Sequence, residues 1–450
     1  MLNGQFVGHH VGHLTPFEMR LDPYLKFGVA NELVIVVSNT REDRMGTSIR
    51  GYKGRSAGIY RSVSLRVTGP WRIRDYYVHA DRSLKQLTWE VETELHSSID
   101  ELAIDWKIRD PKTGELLASG LERVTDAVTR WTTGTYGMKP WSDHSPHLYL
   151  IELRLRDGQV MLDRQQHTFG LRSLESAGTR IHLNGEPIFL RGLTEHAYFP
   201  ETCTPPADKV YYRKAMKKYR QLGFNWIRFH TWTPPVECLE AADELGMMIQ
   251  VEAANGFDES EWLDILRTCR KHPSVVIYCC GNEVKLDEEM LEFLEQMQAH
   301  QRSLVPDALF NPMEGMKAVE YELDVTGDGY VTEPYPHNAK RLGRLKAMAD
   351  VLAPHGYGFM FSYFALSADQ ERMKTYFVNY VRPYLIHELG IFDTYLNLDL
   401  ERRYEGTRIG TRFFSEVRAY LEQMGLLHMA PIYYQNSCRW MLQMLKFAME

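Results

Sequence analysis

The stretch of sequence that decides the fold is residues 275–283, which read VVIYCCGNE. Its first six residues are apolar and uncharged, which predicts a strand buried on both faces. Glycine, asparagine and glutamate follow at the point where the strand ends. Residues 384–388, YLIHE, repeat this pattern and end on Glu388. Two buried strands that each lead into a carboxyl group predict that Glu283 and Glu388 meet at one end of an α/β fold.

The region around these two strands alternates between short apolar strands and amphipathic segments of helical length. Strands are predicted to end near seven residues: Arg191, His230, Glu252, Glu283, Asn311, Glu333 and Glu388. Helices are predicted over residues 208–222, 237–245, 261–270, 288–304 and 436–449. This alternation predicts parallel strands and a (β/α)8 TIM barrel over residues 172–450. An eighth strand is not found, so we expect an incomplete barrel, through either a truncation at the C-terminal end or a closure that the sequence does not reveal.

Residues 1–171 are predicted to be β-rich. The apolar run 32–38 and the alternating run 59–67 predict two strands of a first domain over residues 1–68. The first residues contain neither a basic stretch nor a long apolar segment, so no secretory signal is predicted. We therefore expect a cytoplasmic protein whose N-terminal end is truncated or internal.

A second β domain is predicted over residues 69–171. Strands predicted over 87–93, 102–108 and 148–155 have the spacing of a small antiparallel, immunoglobulin-like sandwich.

Composition excludes several classes of protein. Hydrophobic residues make up 44% and charged residues 25%, as in ordinary globular proteins, and the formal net charge is −7. This charge argues against a nucleic-acid partner, and no apolar run reaches the ~20 residues that cross a bilayer. The six cysteines are too few and too scattered for a disulfide framework in so long a chain. They form no CxxC pair, which argues against a zinc site. Homo-oligomer formation stays open.

Glu283 and Glu388 are the candidate catalytic residues. Glycosidic bond cleavage needs one carboxylic acid that protonates the departing oxygen and one carboxylate that attacks or assists at the sugar carbon. Two neighbouring carboxyl groups also hold their pKa values apart, because both cannot easily be charged. Asn282 could hydrogen-bond a sugar hydroxyl. The alternative is that both glutamates only cap the helices that follow, but their shared position at strand ends favours catalysis.

Several segments, in this order, carry a resemblance to a known family: 183–192 (LNGEPIFLRG), 223–230 (GFNWIRFH), 243–248 (DELGMM), 272–275 (HPSV) and 281–283 (GNE). Together they resemble glycoside hydrolase family 2, which contains β-galactosidases, β-glucuronidases and β-mannosidases. Residues 2–8 (LNGQFVG) and 58–63 (GIYRSV) resemble parts of its N-terminal sugar-binding jelly roll. The resemblance implies that residues 1–68 are a partial jelly roll.

The resemblance also implies an activity and roles for individual residues. It implies a retaining exo-β-glycosidase, of the β-galactoside or β-glucuronide class, that acts by double displacement. Glu283 matches the acid/base and Glu388 the nucleophile. Arg228 matches an arginine that supports the nucleophile, and His196 and His230 match positions that line the subsite of the terminal sugar.

Three positions depart from the family or stand outside its motifs. Glu195 replaces the asparagine of better-known members, and we expect it to contact sugar hydroxyls or to form a salt bridge with Arg228. Trp232, two residues after a strand end, is expected to stack on sugar. Glu252 lacks the histidine that usually follows it, which weakens a magnesium site known in some relatives. A divalent-ion site at Glu195 and Glu252 has little support, so no metal and no cofactor are predicted.

The expected partner is a carbohydrate: a β-glycoside, for example an oligomer from a plant or host polysaccharide. The sequence does not identify the sugar. The alternative is a non-catalytic carbohydrate-binding relative or an inactive fragment, which the missing strand and the incomplete first domain both favour.

Overall fold

The computed structural model describes residues 1–12, 14–38, 58–94, 101–199, 201–202, 204–284, 286–315, 343–353, 382–387, 394–407 and 409–449. Glu388 and the strand predicted near Glu333 lie outside these residues.

A β-sandwich follows the N-terminal segment. Its strands are β1 (Arg72–Ala80), β2 (Gln86–Glu94), β3 (Leu102–Arg109), β4 (Leu116–Arg123), β5 (Val128–Gly134), β6 (Tyr149–Asp157) and β7 (Val160–Phe169). They form two antiparallel sheets with the strand orders β1-β2-β5 and β4-β3-β6-β7. The strands predicted over 87–93 and 102–108 lie within β2 and β3, and most of 148–155 lies within β6.

Alternating side chains hold this sandwich together. Every second residue of β2 and β3 is buried, including Trp89 and Trp106, whose ring centroids lie 5.1 Å apart. Trp89 also stacks on Trp131 at 5.3 Å. This period of two is what a sheet with one covered face requires, and it accounts for the correct prediction of these strands.

A parallel sheet contains the strands that lead to the candidate site. These are β11 (Gly192–Glu195), β12 (Trp226–Phe229), β13 (Met248–Glu252), β14 (Val275–Cys279) and β15 (Leu309–Asn311), and they lie side by side in chain order. The helices between and after them are α1 (Lys209–Gln221), α2 (Val236–Leu245), α3 (Glu259–Cys269) and α4 (Glu288–Leu304). The α/β fold with parallel strands is therefore confirmed.

Aspartate caps explain why three of these helices start where they do. The side chains of Asp208, Asp258 and Asp287 each accept a hydrogen bond from a backbone N–H in the first turn of α1, α3 and α4. The left-handed Gly246 (φ 68°) ends α2. All four helices lie within two residues of the ranges predicted from the sequence.

Two further segments continue the parallel arrangement beyond β15. The backbone N–H of Asp350 donates to the carbonyl of Phe310, at 2.9 Å. Leu352 forms an isolated parallel bridge with Tyr384. Residues 350–353 therefore lie beside β15, and residues 384–387 lie beside them.

The prediction of a parallel strand that ends near Arg191 is wrong. The chain instead forms an antiparallel sheet of β8 (Leu174–Ala177), β9 (Arg180–Leu183) and β10 (Glu186–Ile188). Asn184 and Gly185, at φ 57° and 84°, form the tight turn that reverses the chain. Leu174, Ile181 and Leu183 pack against residues such as Trp226 and Met248. The small sheet thus covers the amino ends of the parallel strands and leaves their carboxyl ends for the site.

The two strands predicted within residues 1–68 are not found in the structure. Among the described residues before Trp71, β pairing is limited to isolated bridges such as Leu2 with Leu33. Val36 is 80% exposed and Val67 is 86% exposed. A strand is stable only when its backbone is paired and its apolar face is covered. The described segments have few such pairings and exposed valines, so the strands predicted over 32–38 and 59–67 do not form there.

The C-terminal part of the chain is helical. It contains α5 (Glu401–Tyr404), α6 (Arg412–Gln423) and α7 (Ala430–Met449), and the helix predicted over 436–449 lies within α7. An ion pair of 2.9 Å between Arg403 and Glu201 connects α5 to the loop after β11. In the described part of the chain, no helix combines the length and apolarity needed to span a membrane.

Candidate active site

The alternation of side chains along β12 and β13 separates two environments. Ile227 and Phe229 pack into the core on the helix side of the sheet. Arg228 and Glu252 lie on the opposite face, where the guanidinium Nε donates to Glu252 Oε1 at 2.5 Å. Both side chains are fully buried. The carboxyl ends of the parallel strands therefore enclose charged groups within an otherwise apolar interior.

Glu314, three residues after β15, brings a second buried carboxylate to this cluster. Its Oε2 lies 3.9 Å from Arg228 Nε. Gln250 Nε2 donates to both carboxylates, at 3.0 Å to Glu252 and 2.5 Å to Glu314. Asn311 Nδ2 donates to Glu314 at 2.5 Å. Burial alone would lower the pKa of Arg228, but Glu252 and Glu314 raise it, so the guanidinium stays charged.

The same cluster contains atoms that could coordinate a cation. One ligand atom each from Glu252, Cys279 and Glu314 lies within 4.8 Å of the others. However, burial raises the pKa of the Cys279 thiol, which disfavours the thiolate that a metal would need. The two carboxylates also already accept hydrogen bonds from Arg228 and Gln250. These contacts fit an ion-pair network better than a metal site.

Glu283 lies in the loop that follows β14. Its backbone N–H donates to the carbonyl of Glu314 at 2.9 Å, and the N–H of Glu314 donates to Gly281 at 2.9 Å. The side chain of Glu283 is exposed, unlike those of Glu252 and Glu314. The loop thus presents one accessible carboxyl group above the buried cluster.

Asn282 connects this loop to the cluster. The residue is 2% exposed, and its Oδ1 accepts a hydrogen bond of 2.7 Å from Arg228 Nη2. This contact fixes the orientation of the amide, so that Nδ2 is the group with which it can donate to a sugar hydroxyl.

The rings of His196 and His230 lie next to each other at the ends of β11 and β12. Their ring centroids are 4.7 Å apart, and His196 also stacks on Tyr198 at 5.6 Å. His230 is 2% exposed, whereas Tyr198 is 50% exposed. The three rings form a row from the interior to the surface at the carboxyl ends of β11 and β12. Flat rings of this kind can pack against the apolar face of a sugar.

The salt bridge predicted between Glu195 and Arg228 is wrong. The parallel register pairs Thr194 with Arg228 and Glu195 with Phe229, so the Glu195 side chain lies on the helix side of the sheet. Its carboxylate accepts a hydrogen bond from the Ala197 N–H at 3.0 Å. Burial raises the pKa of Glu195, and hydrogen bonds from backbone N–H groups lower it by less, so the pKa is raised overall. This orientation also removes the basis for a sugar contact and for an ion site shared with Glu252.

Trp232 is placed in the core instead of in a sugar subsite. The side chain is fully buried and makes edge-to-face contacts with Phe199 and Phe229. Its indole N–H donates to the carbonyl of Glu195 at 3.0 Å. Stacking on sugar requires an open ring face, which this packing does not leave.

The predicted nucleophile, Glu388, lies outside the described residues, but the residue before it does not. His387 is 4% exposed, and its Nδ1 lies 3.1 Å from Glu314 Oε2. Its ring meets that of Trp226 edge-on at 5.1 Å. The described chain therefore reaches the buried cluster one residue before Glu388.

Sequence reasoning missed Glu314, Gln250 and Asn311. The signal for Glu314 was present, because a strand predicted to end at Asn311 is followed three residues later by a glutamate. Gln250 carried the signal of a polar residue within an apolar strand.

Comparison with known proteins agrees with this architecture. Residues 71–172 match the family model "Glycosyl hydrolases family 2". A β-galactosidase of Thermoanaerobacter pseudethanolicus is 25% identical over 330 residues, which are 66% of this chain and 42% of that protein. A putative β-glucuronidase of Formosa agariphila is 26% identical over 377 residues, which are 79% of this chain and 34% of that protein.

Solved structures share the fold over most of the chain. A glycosyl hydrolase family 2 member from Bacteroides cellulosilyticus aligns with a TM-score of 0.64 and 19% identity over 91% of this chain and 54% of that one. Bacteroides uniformis β-glucuronidase 2, covalently bound to cyclophellitol-6-carboxylate aziridine, aligns with a TM-score of 0.67 and 19% identity over 90% of this chain and 52% of that one.

The chain thus spans about half or less of the length of these relatives. The family model covers the sandwich, and the sequence likeness to the two relatives covers 66% and 79% of this chain. Residues 71–172 thus match the model of glycosyl hydrolase family 2, and the chain is similar in sequence to a β-galactosidase and a putative β-glucuronidase.

Proposed function

We propose that this chain carries the catalytic site of a retaining exo-β-glycosidase for terminal β-linked sugars, of the β-galactoside or β-glucuronide class. The β-galactosidase and β-glucuronidase names of its relatives support this class. The observation that carries the proposal is an exposed carboxyl group, Glu283, next to Asn282, whose amide is held by the buried Arg228.

We also propose that the parallel strands close towards a TIM barrel. From β12, five strand spacings lead through β13, β14, β15 and residues 350–353 to residues 384–387. In a flat sheet, at about 4.8 Å per spacing, this corresponds to about 24 Å. The rings of Trp226 and His387 are only 5.1 Å apart, which requires strong curvature. Such curvature supports convergence of Glu388 and Glu283 on one cavity.

In the proposed reaction, Glu283 protonates the glycosidic oxygen while the carboxylate of Glu388 attacks the anomeric carbon. The bond to the leaving group breaks, and a covalent glycosyl–enzyme forms. Glu283, now a carboxylate, then takes a proton from water as the water attacks the anomeric carbon and releases Glu388. Two displacements return the sugar with its original anomeric configuration.

Substitution of the two glutamates tests the proposal. With nitrophenyl β-galactoside and β-glucuronide as substrates, we expect E388Q to remove turnover, because an amide cannot form the ester intermediate. On the corresponding phenyl glycosides, whose leaving group needs a proton, E283Q should lower turnover by about 10²-fold or more. E195Q is the matched control: it changes a carboxylate on the helix side of the sheet and should keep activity.

Circular dichroism should show that each variant stays folded. Unchanged turnover by folded E388Q would refute the assignment. A wild-type chain that binds glycosides without cleaving them would instead support the non-catalytic alternative.

A further inference from the structure

Asn255, three residues after β13, grips the backbone of the loop that carries Glu283. Its Oδ1 accepts a hydrogen bond of 2.9 Å from the N–H of Asn282, and its Nδ2 donates to the carbonyl of Asn282 at 2.9 Å. One side-chain amide therefore binds both polar groups of a single residue, as a neighbouring strand would.

Gly281 makes this close approach compatible with the loop. A Cβ at Gly281 would lie 2.8 Å from Asn255 Oδ1, closer than atoms normally approach. The backbone of Gly281, at φ 128°, also has a conformation that other residues rarely adopt. Within the GNE sequence of this loop, the glycine therefore makes room for the Asn255 amide.

The loop is thus held from two sides. On one side, Gly281 and Glu283 exchange backbone hydrogen bonds with Glu314, and Asn282 bridges to the same residue. On the other side, Asn255 holds the peptide groups of Asn282. Glu283 itself has φ 51°, in the left-handed region, which is unfavourable for a residue with a side chain. Contacts on both sides offset that cost.

We propose that Asn255 is a positioning residue that sets the direction of the Glu283 carboxyl group. The inference rests on the proposed function, because it assigns Glu283 the acid/base role. Asn255 acts through the backbone of Asn282, so its loss should impair proton transfer by Glu283 more than binding of the sugar. Proton transfer depends steeply on placement, because donor and acceptor must come within hydrogen-bond reach.

Leaving-group dependence separates this role from a general loss of structure. The phenol of a phenyl β-glycoside leaves only if its oxygen is protonated. The 2,4-dinitrophenolate of a 2,4-dinitrophenyl β-glycoside is stable enough to leave without a proton. We expect N255A to lower kcat for the phenyl glycoside by about tenfold to a hundredfold. The rate of the glycosylation step with the dinitrophenyl glycoside should fall by less than threefold. KM should change little for the phenyl glycoside, because glycosylation limits its turnover.

Two variants serve as comparisons. Asn31 makes a similar pair of hydrogen bonds to the backbone of Lys26, at 2.9 and 2.8 Å, in the N-terminal segment. N31A removes these bonds far along the chain from Glu283 and should leave both rates unchanged. N255D has the shape of asparagine and keeps the acceptor but loses the donor. It should therefore remain folded and show the same leaving-group dependence to a smaller extent.

Equal losses on both substrates in N255A and N255D, or no loss in either, would overturn the positioning role while the glycosidase assignment stands. A wild-type chain that cleaves no β-glycoside would overturn the proposed function, and this inference with it.

Discussion

At the scale of single residues, the site depends on a buried guanidinium. Arg228 is the cation between Glu252 and Glu314, and it also orients Asn282. A buried carboxylate without a cationic partner would take up a proton. The pairing with Arg228 therefore keeps Glu252 and Glu314 charged at the carboxyl ends of the strands. Removal of one partner from a buried pair costs more than the pair contributes, because the other charge stays behind.

We therefore expect R228M to lower the free energy of unfolding by about 3–5 kcal/mol. Urea unfolding followed by tryptophan fluorescence measures the change. R403M, which removes an exposed arginine from its pair with Glu201, should leave the unfolding midpoint within error of wild type. If both variants unfold at the same urea concentration, the buried network does not hold the carboxyl ends together.

The residues of this network show what sequence could and could not provide. Arg228 was recognised from its strand and its resemblance to the family. A salt bridge with Arg228 was one of two roles expected for Glu195, but the register places Glu195 with Phe229 on the helix side. Side-chain alternation within one strand follows from the sequence, but the register between neighbouring strands does not. The strand end at Asn311 was predicted, but Glu314 lies in the loop three residues after it, and the sequence of a loop does not show that its side chain turns back into the interior.

At the scale of secondary-structure elements, the sandwich is attached to the parallel sheet by charges at the end of α3. Asp75 of β1 is 7% exposed and lies 2.8 Å from Arg270 and 2.6 Å from Lys271. Burial alone would raise the pKa of Asp75, but the two cations outweigh burial and lower it. These contacts fix β1 against the segment that leads into β14, and hence into the Glu283 loop.

Because the pKa of Asp75 is lowered in the folded state, its contribution to stability is present above the unfolded pKa of about 4. It is lost as the pH falls through the folded value. We expect D75N to be less stable than wild type at pH 7, and the difference to shrink as the pH falls below about 4. Thermal unfolding from pH 7 to pH 3 measures this. A difference that does not depend on pH would assign the effect of D75N to packing alone.

Elements that carry their own local signals were the ones predicted well. Helix α4 was predicted at its observed bounds, because Asp287 caps its start and its apolar residues recur with helical spacing. Strand β4 was not predicted, since all of its residues are partly or fully exposed and its hydrophobic pattern is weak. The apolar run 32–38 predicted a strand from composition alone. Among the described residues this run is not paired into a sheet. Pairing depends on neighbouring strands, so the sequence of one segment does not reveal it.

At the scale of the whole molecule, the two proposed catalytic glutamates come from strands about a hundred residues apart in the sequence. Their convergence depends on curvature of the sheet, which the contact of Trp226 with His387 supports. The contact of 3.1 Å between His387 Nδ1 and Glu314 Oε2 ties the segment before Glu388 to the residue that pairs with the Glu283 loop. The same contacts therefore connect both halves of the proposed site.

This geometry predicts where a mechanism-based probe reacts. A β-configured cyclophellitol aziridine requires a nucleophile that opens its ring and an acid that protonates the departing nitrogen. We expect the probe whose configuration matches the preferred sugar to label Glu388, as peptide mass spectrometry would detect. E388Q should abolish the label. E283Q should slow labelling, because Glu283 protonates the aziridine nitrogen while Glu388 opens the ring from the opposite face. A label on any other residue, or equal labelling rates in E283Q and wild type, would contradict a shared cavity for the two carboxyl groups.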